Sequence, residues 1–182
     1  MIRIQLVDDE PNILNALKRL LRPHGWEIHA YNKVEEALSG LLEHDYAVII
    51  SDYQMPTADG VTYLQFAKQR QPDAMRLVLS AYGDRNSMIK AINQAEVYRY
   101  LSKPWDDYEL VAAVKSAIDV YELKTENQRL LDQVQAQRQI IRAREQELLR
   151  LEQDHPGITR VQRDADGSVL IGNQARSSDG GL

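Results

Sequence analysis

The chain has 182 residues, with 22 Lys and Arg against 27 Asp and Glu, a formal net charge of -5 and no cysteine. This length suits one domain with an appendage or two small domains. The lack of cysteine excludes disulfides, thiolate zinc sites and a catalytic thiol. No apolar run approaches the roughly 20 residues of a membrane span, and the first ten residues lack the apolar stretch of a signal peptide. We therefore expect a soluble cytoplasmic protein.

The first 118 residues are predicted to alternate strands and helices. Short runs rich in β-branched residues predict strands at 2–7, 27–31, 47–51, 76–80 and 99–102. Three of them are apolar on consecutive residues, as is typical of parallel strands buried on both faces. Amphipathic stretches predict helices at 11–22, 33–43, 61–69 and 84–95, and a fifth beginning at Asp106. The pattern predicts an α/β fold with an open, doubly wound parallel sheet, whose ligands bind beyond the carboxyl ends of the strands.

Polar side chains gather at those predicted carboxyl ends. They are Asp8, Asp9 and Glu10 after the first strand, Asp52 after the third, Ser80 at the end of the fourth and Lys103 after the fifth. Three carboxylates at one site repel one another unless a cation holds them, and oxygen ligands suit Mg²⁺ or Mn²⁺. A lysine and a hydroxyl nearby can bind phosphoryl oxygens. No glycine-rich phosphate-binding motif is present in the sequence.

Four segments occur in the order and spacing of a known family: LVDDE at 6–10, SDYQMPTADG at 51–60, LSAYGD at 79–84 and YLSKPW at 100–105. With them, residues 1 to about 120 resemble the receiver domain of bacterial two-component response regulators. The resemblance implies a five-stranded flavodoxin-like sheet and a phosphoryl group taken from a sensor histidine kinase. It also implies no enzymatic activity beyond Mg²⁺-dependent self-phosphorylation and autodephosphorylation.

The same resemblance implies a phosphoacceptor and its metal ligands. Asp52 would be the phosphoacceptor, becoming an acyl phosphate. Asp9 would bind Mg²⁺ directly and Asp8 through water. The Asp52 carboxylate and the main-chain carbonyl of Gln54 would complete the protein ligands. An alternative interpretation is that the acids after the first strand only cap the following helix.

Further roles follow from the resemblance for the fourth and fifth strands. Lys103 would pair with phosphoryl oxygens, and a cis bond to Pro104 would fix its approach. Ser80 would turn its hydroxyl toward the phosphate, and Tyr100 would rotate inward behind it. Tyr100 as a simple packing aromatic remains an alternative, and Trp105 is interpreted as a packing anchor. The histidines share no metal-ligand spacing and are interpreted as surface or helix-end residues.

Residues 119–154 contain neither Gly nor Pro and predict a coiled-coil dimerisation helix. Positions a are Val120, Asn127, Val134, Ile141 and Leu148, and positions d are Leu123, Leu130, Gln137, Arg144 and Leu151. Seven of these ten are apolar, and Asn at an a position favours a parallel, in-register homodimer. The alternative is a monomeric helix folded back onto the first domain. Basic residues are interleaved with acids, and no helix-turn-helix follows, so we expect no direct DNA binding.

Residues 155–182 form a third segment, in which two β-prone runs around Asp166-Gly167 suggest a hairpin or a disordered tail. Two functions remain open for the whole chain. One is a dimeric response regulator that signals through its coiled coil to a partner protein. The other is the regulatory front part of a larger output enzyme, similar to HD-domain phosphodiesterase or hydrogenase-type regulators, a phosphatase or an ATPase activator. Its catalytic domain would lie beyond Leu182 or on another chain.

Overall fold

Nine regular elements account for most of residues 1–55, 60–81 and 95–157, which are the residues that a computed structural model of the chain describes. The strands are β1 (Arg3–Val7), β2 (Glu27–Tyr31), β3 (Val48–Asp52), β4 (Met75–Ala81) and β5 (Arg99–Lys103). The helices are α1 (Pro11–Leu21), α2 (Val34–Glu43), α3 (Gly60–Arg70) and α4 (Asp107–Asp154), and a short 3₁₀ turn follows α1 at Arg22–His24.

The five strands form one parallel sheet in the order β2-β1-β3-β4-β5. This is the flavodoxin-like order. The chain adds β2 on one side of β1 and then crosses over to add β3, β4 and β5 on the other side, so the order of the strands changes direction between β1 and β3. The prediction of a five-stranded, doubly wound α/β fold is therefore confirmed. The three central strands are buried at almost every position, while the edge strand β2 is half-buried throughout. This burial explains why β1, β3 and β4 carry the continuous apolar runs.

Side chains alternate between two cores, one on each face of the sheet. Ile4 and Leu6 of β1 point to a core shared with α1 and α4, where Leu17 and Val114 are buried. Val7 points to the opposite core, with residues of α2 and α3 such as Ala37 and Leu64. Burying each such Leu contributes about 2–3 kcal/mol. The two cores hold the strand ends, and the polar residues after them, in fixed positions.

Observed ends of the described elements differ from the predicted ones by at most one residue. β4 is longer at both ends because it pairs on both sides, Met75 with Val48 and Ala81 with Lys103. α1 ends at Leu21, one residue early, because the chain tightens there into the 3₁₀ turn Arg22–His24, in which Pro23 has no amide hydrogen to continue the α-helical ladder. The predicted helix at 84–95 lies outside the described residues except for Ala95. The predicted hairpin around Asp166-Gly167 lies outside them entirely.

The last helix has two parts with different surroundings. Its first turns bury Leu110, Val114 and Ile118 in the first core, and Asp106 caps its start by accepting the Glu109 amide at 2.9 Å. Contacts divide the chain into one unit from Met1 to Arg129 and a second from Leu130 onward. In the second unit the described apolar side chains are exposed, with Leu130 at 46% and Val134 at 44%. Coiled-coil pairing of this stretch stays a prediction. Among the described residues, no helix is long and apolar enough to cross a membrane.

Candidate functional site

Three carboxylates meet at the carboxyl edge of the sheet. Asp8 and Asp9 directly follow β1, and Asp52 ends the neighbouring strand β3. One oxygen from each carboxylate lies within 4.8 Å of the others. Asp8 is 1% exposed and Asp52 is 7% exposed, so two of the three lie where water cannot freely screen them. The structure thus brings together the acids that the sequence placed at one sheet edge.

Lys103 extends from the end of β5 into this cluster. Its Nζ lies 2.7 Å from Asp8 Oδ2 and 3.2 Å from Asp52 Oδ1. Burial disfavours the charged lysine, but the two carboxylates outweigh that effect and raise the pKa of Lys103. The peptide bond that follows it, Lys103–Pro104, is cis, which confirms that prediction. Lys103 is therefore a charged donor held between the two buried acids.

The pKa of Asp52 is subject to opposing influences. Burial raises its pKa most strongly, Lys103 acts in the lowering direction, and the Asp8 carboxylate adds to the rise. The net result is a pKa above the usual value. One ammonium cannot offset three ionised carboxylates, so the cluster retains excess negative charge. Closely spaced oxygen donors with unbalanced charge are the donor set that a hard divalent cation such as Mg²⁺ requires.

The backbone around Asp52 is held closely by three neighbours. The amide of Tyr53 donates to the Leu79 carbonyl of β4 at 2.8 Å, and Ser51 Oγ donates to the Asp52 carbonyl at 3.0 Å. The Gly60 amide donates to the Tyr53 carbonyl at 3.0 Å. A Cβ on Gly60 would meet the Asp52 carbonyl oxygen within van der Waals contact and lie 2.9 Å from its carbonyl carbon. The start of α3 therefore requires glycine at this position.

The remaining predicted site residues lie near the same edge of the sheet or, in the case of Tyr100, against the second core. Ser80 is 3% exposed and follows Leu79, the β4 residue that pairs with Asp52. Tyr100 of β5 is half-buried and packs against the second core, beside its β4 partner Val78. Gln54 is exposed, two residues beyond Asp52. Pro56 and Asp59, quoted in the second family segment, lie outside the described residues.

Two features were not anticipated from the sequence. An open cavity of about 420 Å³ adjoins Lys103 and is lined by Glu10, Ile13, Pro104 and Trp105 as well. Trp105, which directly follows Lys103 and Pro104, is the sequence feature that could have indicated this cavity. The second is His29, which was expected at the surface. Its side chain is only 20% exposed, because its ring contacts Tyr46 Oη and Glu27 Oε1, each at 2.9 Å, so that expectation was wrong.

Comparison with characterised proteins agrees with this geometry. The profile of the family described as response regulator receiver domain matches residues 4–115. The hydrogenase transcriptional regulatory protein HoxA of Cupriavidus necator is 30% identical over 92% of this chain and 34% of its own length. The DNA-binding transcriptional regulator NtrC of Escherichia coli is 33% identical over 65% of this chain and 25% of its own length. The chain thus spans about a third or less of these curated relatives.

Solved structures give the same picture. The signal receiver domain of an HD domain-containing protein from Pseudomonas fluorescens Pf-5 is 37% identical, with a TM-score of 0.66 over 69% of this chain and 92% of that one. The beryllofluoride-activated NtrC4 receiver domain dimer is 30% identical, with a TM-score of 0.63 over 66% of this chain and 99% of that one. On the combined evidence of sheet order, acidic cluster and family profile, this chain belongs to the response regulator receiver domain family and carries the receiver domain of a two-component system.

Proposed function

We propose that Asp52 is the phosphoacceptor of this receiver domain and takes its phosphoryl group from a sensor histidine kinase. The observation that carries the proposal is the placement of Asp52 at the end of β3, within 4.8 Å of the Asp8 and Asp9 carboxylates and 3.2 Å from Lys103. A carboxylate beside a lysine has a nucleophilic oxygen and a cation for the negative phosphoryl oxygens, and the further acids supply oxygen ligands for a metal ion.

The reaction would use the residues as follows. A carboxylate oxygen of Asp52 attacks phosphorus while the bond from phosphorus to the donor nitrogen breaks, which leaves an acyl phosphate on Asp52. Lys103 binds phosphoryl oxygens through its ammonium group. Asp9, Asp8, Asp52 and the Gln54 carbonyl would hold Mg²⁺, Asp8 through a water molecule. When bound, this ion offsets the negative charges of the carboxylates and phosphoryl oxygens.

We infer a switch on the fourth and fifth strands from the same placement. Ser80 is buried beside the strand position that pairs with Asp52, so its hydroxyl is the nearest candidate on β4 for a bond to the new phosphate. Tyr100 is half-buried in β5 and has room to change its exposure. The chain would then act as a switch, with no enzymatic activity beyond self-phosphorylation and autodephosphorylation.

Replacing the acceptor tests this proposal. The full chain is incubated with phosphoramidate and Mg²⁺, and acyl phosphate is measured by intact mass. Asp52→Asn should abolish labelling. Asp45→Asn is the matched control, because Asp45 is an exposed aspartate before β3, at the opposite end of that strand, and it should label as the wild type does. Persistent labelling of Asp52→Asn would show that another residue is the acceptor.

For the output, we propose that two copies pair in parallel through residues 119–154 and signal to a downstream protein. The heptad positions Leu130, Val134, Ile141 and Leu148 are exposed by 44–54% in the single chain, which is typical of a helix awaiting a partner of its own kind. Sedimentation with and without beryllofluoride and Mg²⁺ measures this directly. A monomer in both states would contradict it.

A second output has support from the relatives. HoxA and NtrC are each more than twice as long as this chain, and one solved neighbour is the signal receiver domain of an HD domain-containing protein. We therefore keep the proposal that this receiver domain regulates a larger output protein, whose active part lies beyond Leu182. Sequencing the native gene downstream of the Leu182 codon decides between the two outputs, because an immediate stop codon rules out the second.

A further inference from the structure

One charged side chain interrupts the apolar stripe of the long helix α4. Arg144 occupies a d position between Ile141 and Leu148, which are exposed by 54% and 52%. All three lie on the helix face proposed to pair with a second copy, because the a and d positions run along one side of a helix. Pairing would therefore enclose a guanidinium between two apolar layers.

Arg144 has no counter-ion on its own helix. Arg129 pairs with Glu126 at 2.8 Å and Arg150 approaches Asp154 at 4.0 Å, each within about one turn of α4. In the part of the chain that the structure describes, no such ion pair involves Arg144. Taking a charged group out of water is strongly destabilising unless an opposite charge pairs with it. A helix that covers this face must therefore supply the carboxylate.

A parallel, in-register pair of copies brings a carboxylate to this place. Each d side chain of a two-stranded coiled coil packs into a hole formed by four residues of the facing helix. For Arg144, those four are Ile141, Arg144, Glu145 and Leu148 of the second copy. The two Glu145 carboxylates would thus lie beside the two guanidiniums, whose paired N–H groups match the geometry of a carboxylate. The layer then holds two positive and two negative charges, so its net charge is zero.

An antiparallel pair would leave the guanidinium without a counter-ion. When two copies are aligned in opposite directions over the same heptads, each a position faces a d position. Arg144 then faces Asn127, which has no charge. The flanking positions next to this layer do not favour the parallel pair either, because Glu147 at g would face Glu152 at e of the second copy and repel it. The choice of a parallel arrangement at this end of the helix therefore falls to the layer of Arg144 and Glu145.

We propose that ion pairs between Arg144 of each copy and Glu145 of the other form a charged layer, which directs residues 119–154 to pair in parallel with a second copy of this chain. The inference rests on the proposed dimer and names the residues that set its orientation. A polar side chain in the seam of a coiled coil typically fixes register and orientation at some cost in stability. Arg144 has that role here, and Glu145 is its complement.

Reversing the charges tests the layer in the full chain, by sedimentation velocity with and without beryllofluoride and Mg²⁺. Arg144→Glu places four carboxylates in the layer, and Glu145→Arg places four guanidiniums there. Each variant alone should dimerise at least about tenfold more weakly than the wild type, because like charges then face one another. An equimolar mixture of the two variants should restore the dimer, because each copy then faces charges of the opposite sign.

A neighbouring arginine supplies the matched control. Arg142 occupies a b position, outside the a and d stripe, so Arg142→Glu should dimerise as the wild type does. Arg142, Arg144 and Glu145 are all exposed in the single chain, so none of the three substitutions disturbs a buried contact. Circular dichroism of each variant should therefore show the helix content of the wild type.

The outcomes separate the inference from the proposal on which it rests. If the wild type sediments as a monomer in both conditions, the proposed dimer itself fails, and no pairing remains for the layer to direct. If the wild type is a dimer but the single variants dimerise equally well, or their mixture stays monomeric, the charged layer is refuted while the dimer stands. A dimer that forms only in the mixture establishes that position 144 of one copy faces position 145 of the other.

Discussion

Gly60→Ala tests how closely α3 approaches the proposed phosphoacceptor. The added Cβ would lie 2.9 Å from the Asp52 carbonyl carbon and 3.1 Å from the Tyr53 carbonyl oxygen. Ordinary van der Waals contact begins at 3.4 Å, and the Asp52 carbonyl oxygen lies nearer to the added Cβ than the carbonyl carbon does, so the two backbones must separate by more than about 0.5 Å. Overpacking of this kind costs about 1–3 kcal/mol, and the obstacle here is backbone, so we expect about 2–3 kcal/mol.

Thermal unfolding and phosphorylation kinetics measure the two consequences. For a chain of this size the expected loss lowers the melting temperature by roughly 4–12 °C. A shift of the Asp52 backbone by half an ångström or more should also slow phosphorylation by phosphoramidate, by at least about tenfold. Gly25→Ala is the control: nothing lies within 4 Å of its Cβ, but its φ of 78° is left-handed. It should cost about 1 kcal/mol and leave the phosphorylation rate unchanged. If Gly60→Ala melted and reacted as the wild type does, the close approach would be refuted.

Three further results are expected. Burial, with the Asp8 carboxylate adding to it, raises the pKa of Asp52 above 3.8 despite Lys103, so ionised Asp52 destabilises the fold at neutral pH. In Mg²⁺-free buffer, Asp52→Asn should therefore raise the melting temperature near neutral pH, and the gain should disappear as the pH falls below 3.8; an equal gain at all pH values would contradict the cause. Lys103→Met leaves two buried carboxylates without this cation and should cost about 3 kcal/mol in urea unfolding at neutral pH, with recovery in acid as the carboxylates protonate. Leu130→Lys should convert a sedimenting dimer to a monomer without changing the melting of the receiver domain, whereas Gln133→Lys, outside the a and d positions, should stay dimeric.

The sheet and the acidic cluster were predictable because strand periodicity and strand order determine where strand ends lie. Asp8 and Asp52 follow apolar runs that only a buried parallel strand explains, and adjacent parallel strands end at one edge. Lys103 was placed by the same reasoning from β5. These positions depend on local pattern and topology, both of which are readable along the chain.

Other features depend on contacts between elements that no local pattern encodes. Gly60 approaches Asp52 because of the path between β3 and α3, and glycine alone does not reveal which backbone it meets. His29 is covered because Tyr46 and Glu27 converge on the edge strand from different parts of the chain. The cleft at Trp105 arises where α1 faces the end of β5. Tertiary packing decides all three.

The strand order gives the proposed signal a preferred side. Asp8 follows β1 and Asp52 ends β3, and the residues proposed to respond lie progressively outward, Ser80 on β4 and then Tyr100 on β5. On the other flank, β2 is tied to β1 by the Arg3–Glu27 ion pair at 2.9 Å, far from the acidic edge. A structural change caused by phosphorylation of Asp52 should therefore extend toward β5 and leave the position of β2 unchanged. Backbone amide shifts on phosphorylation should be large along β4 and β5 and small along β2.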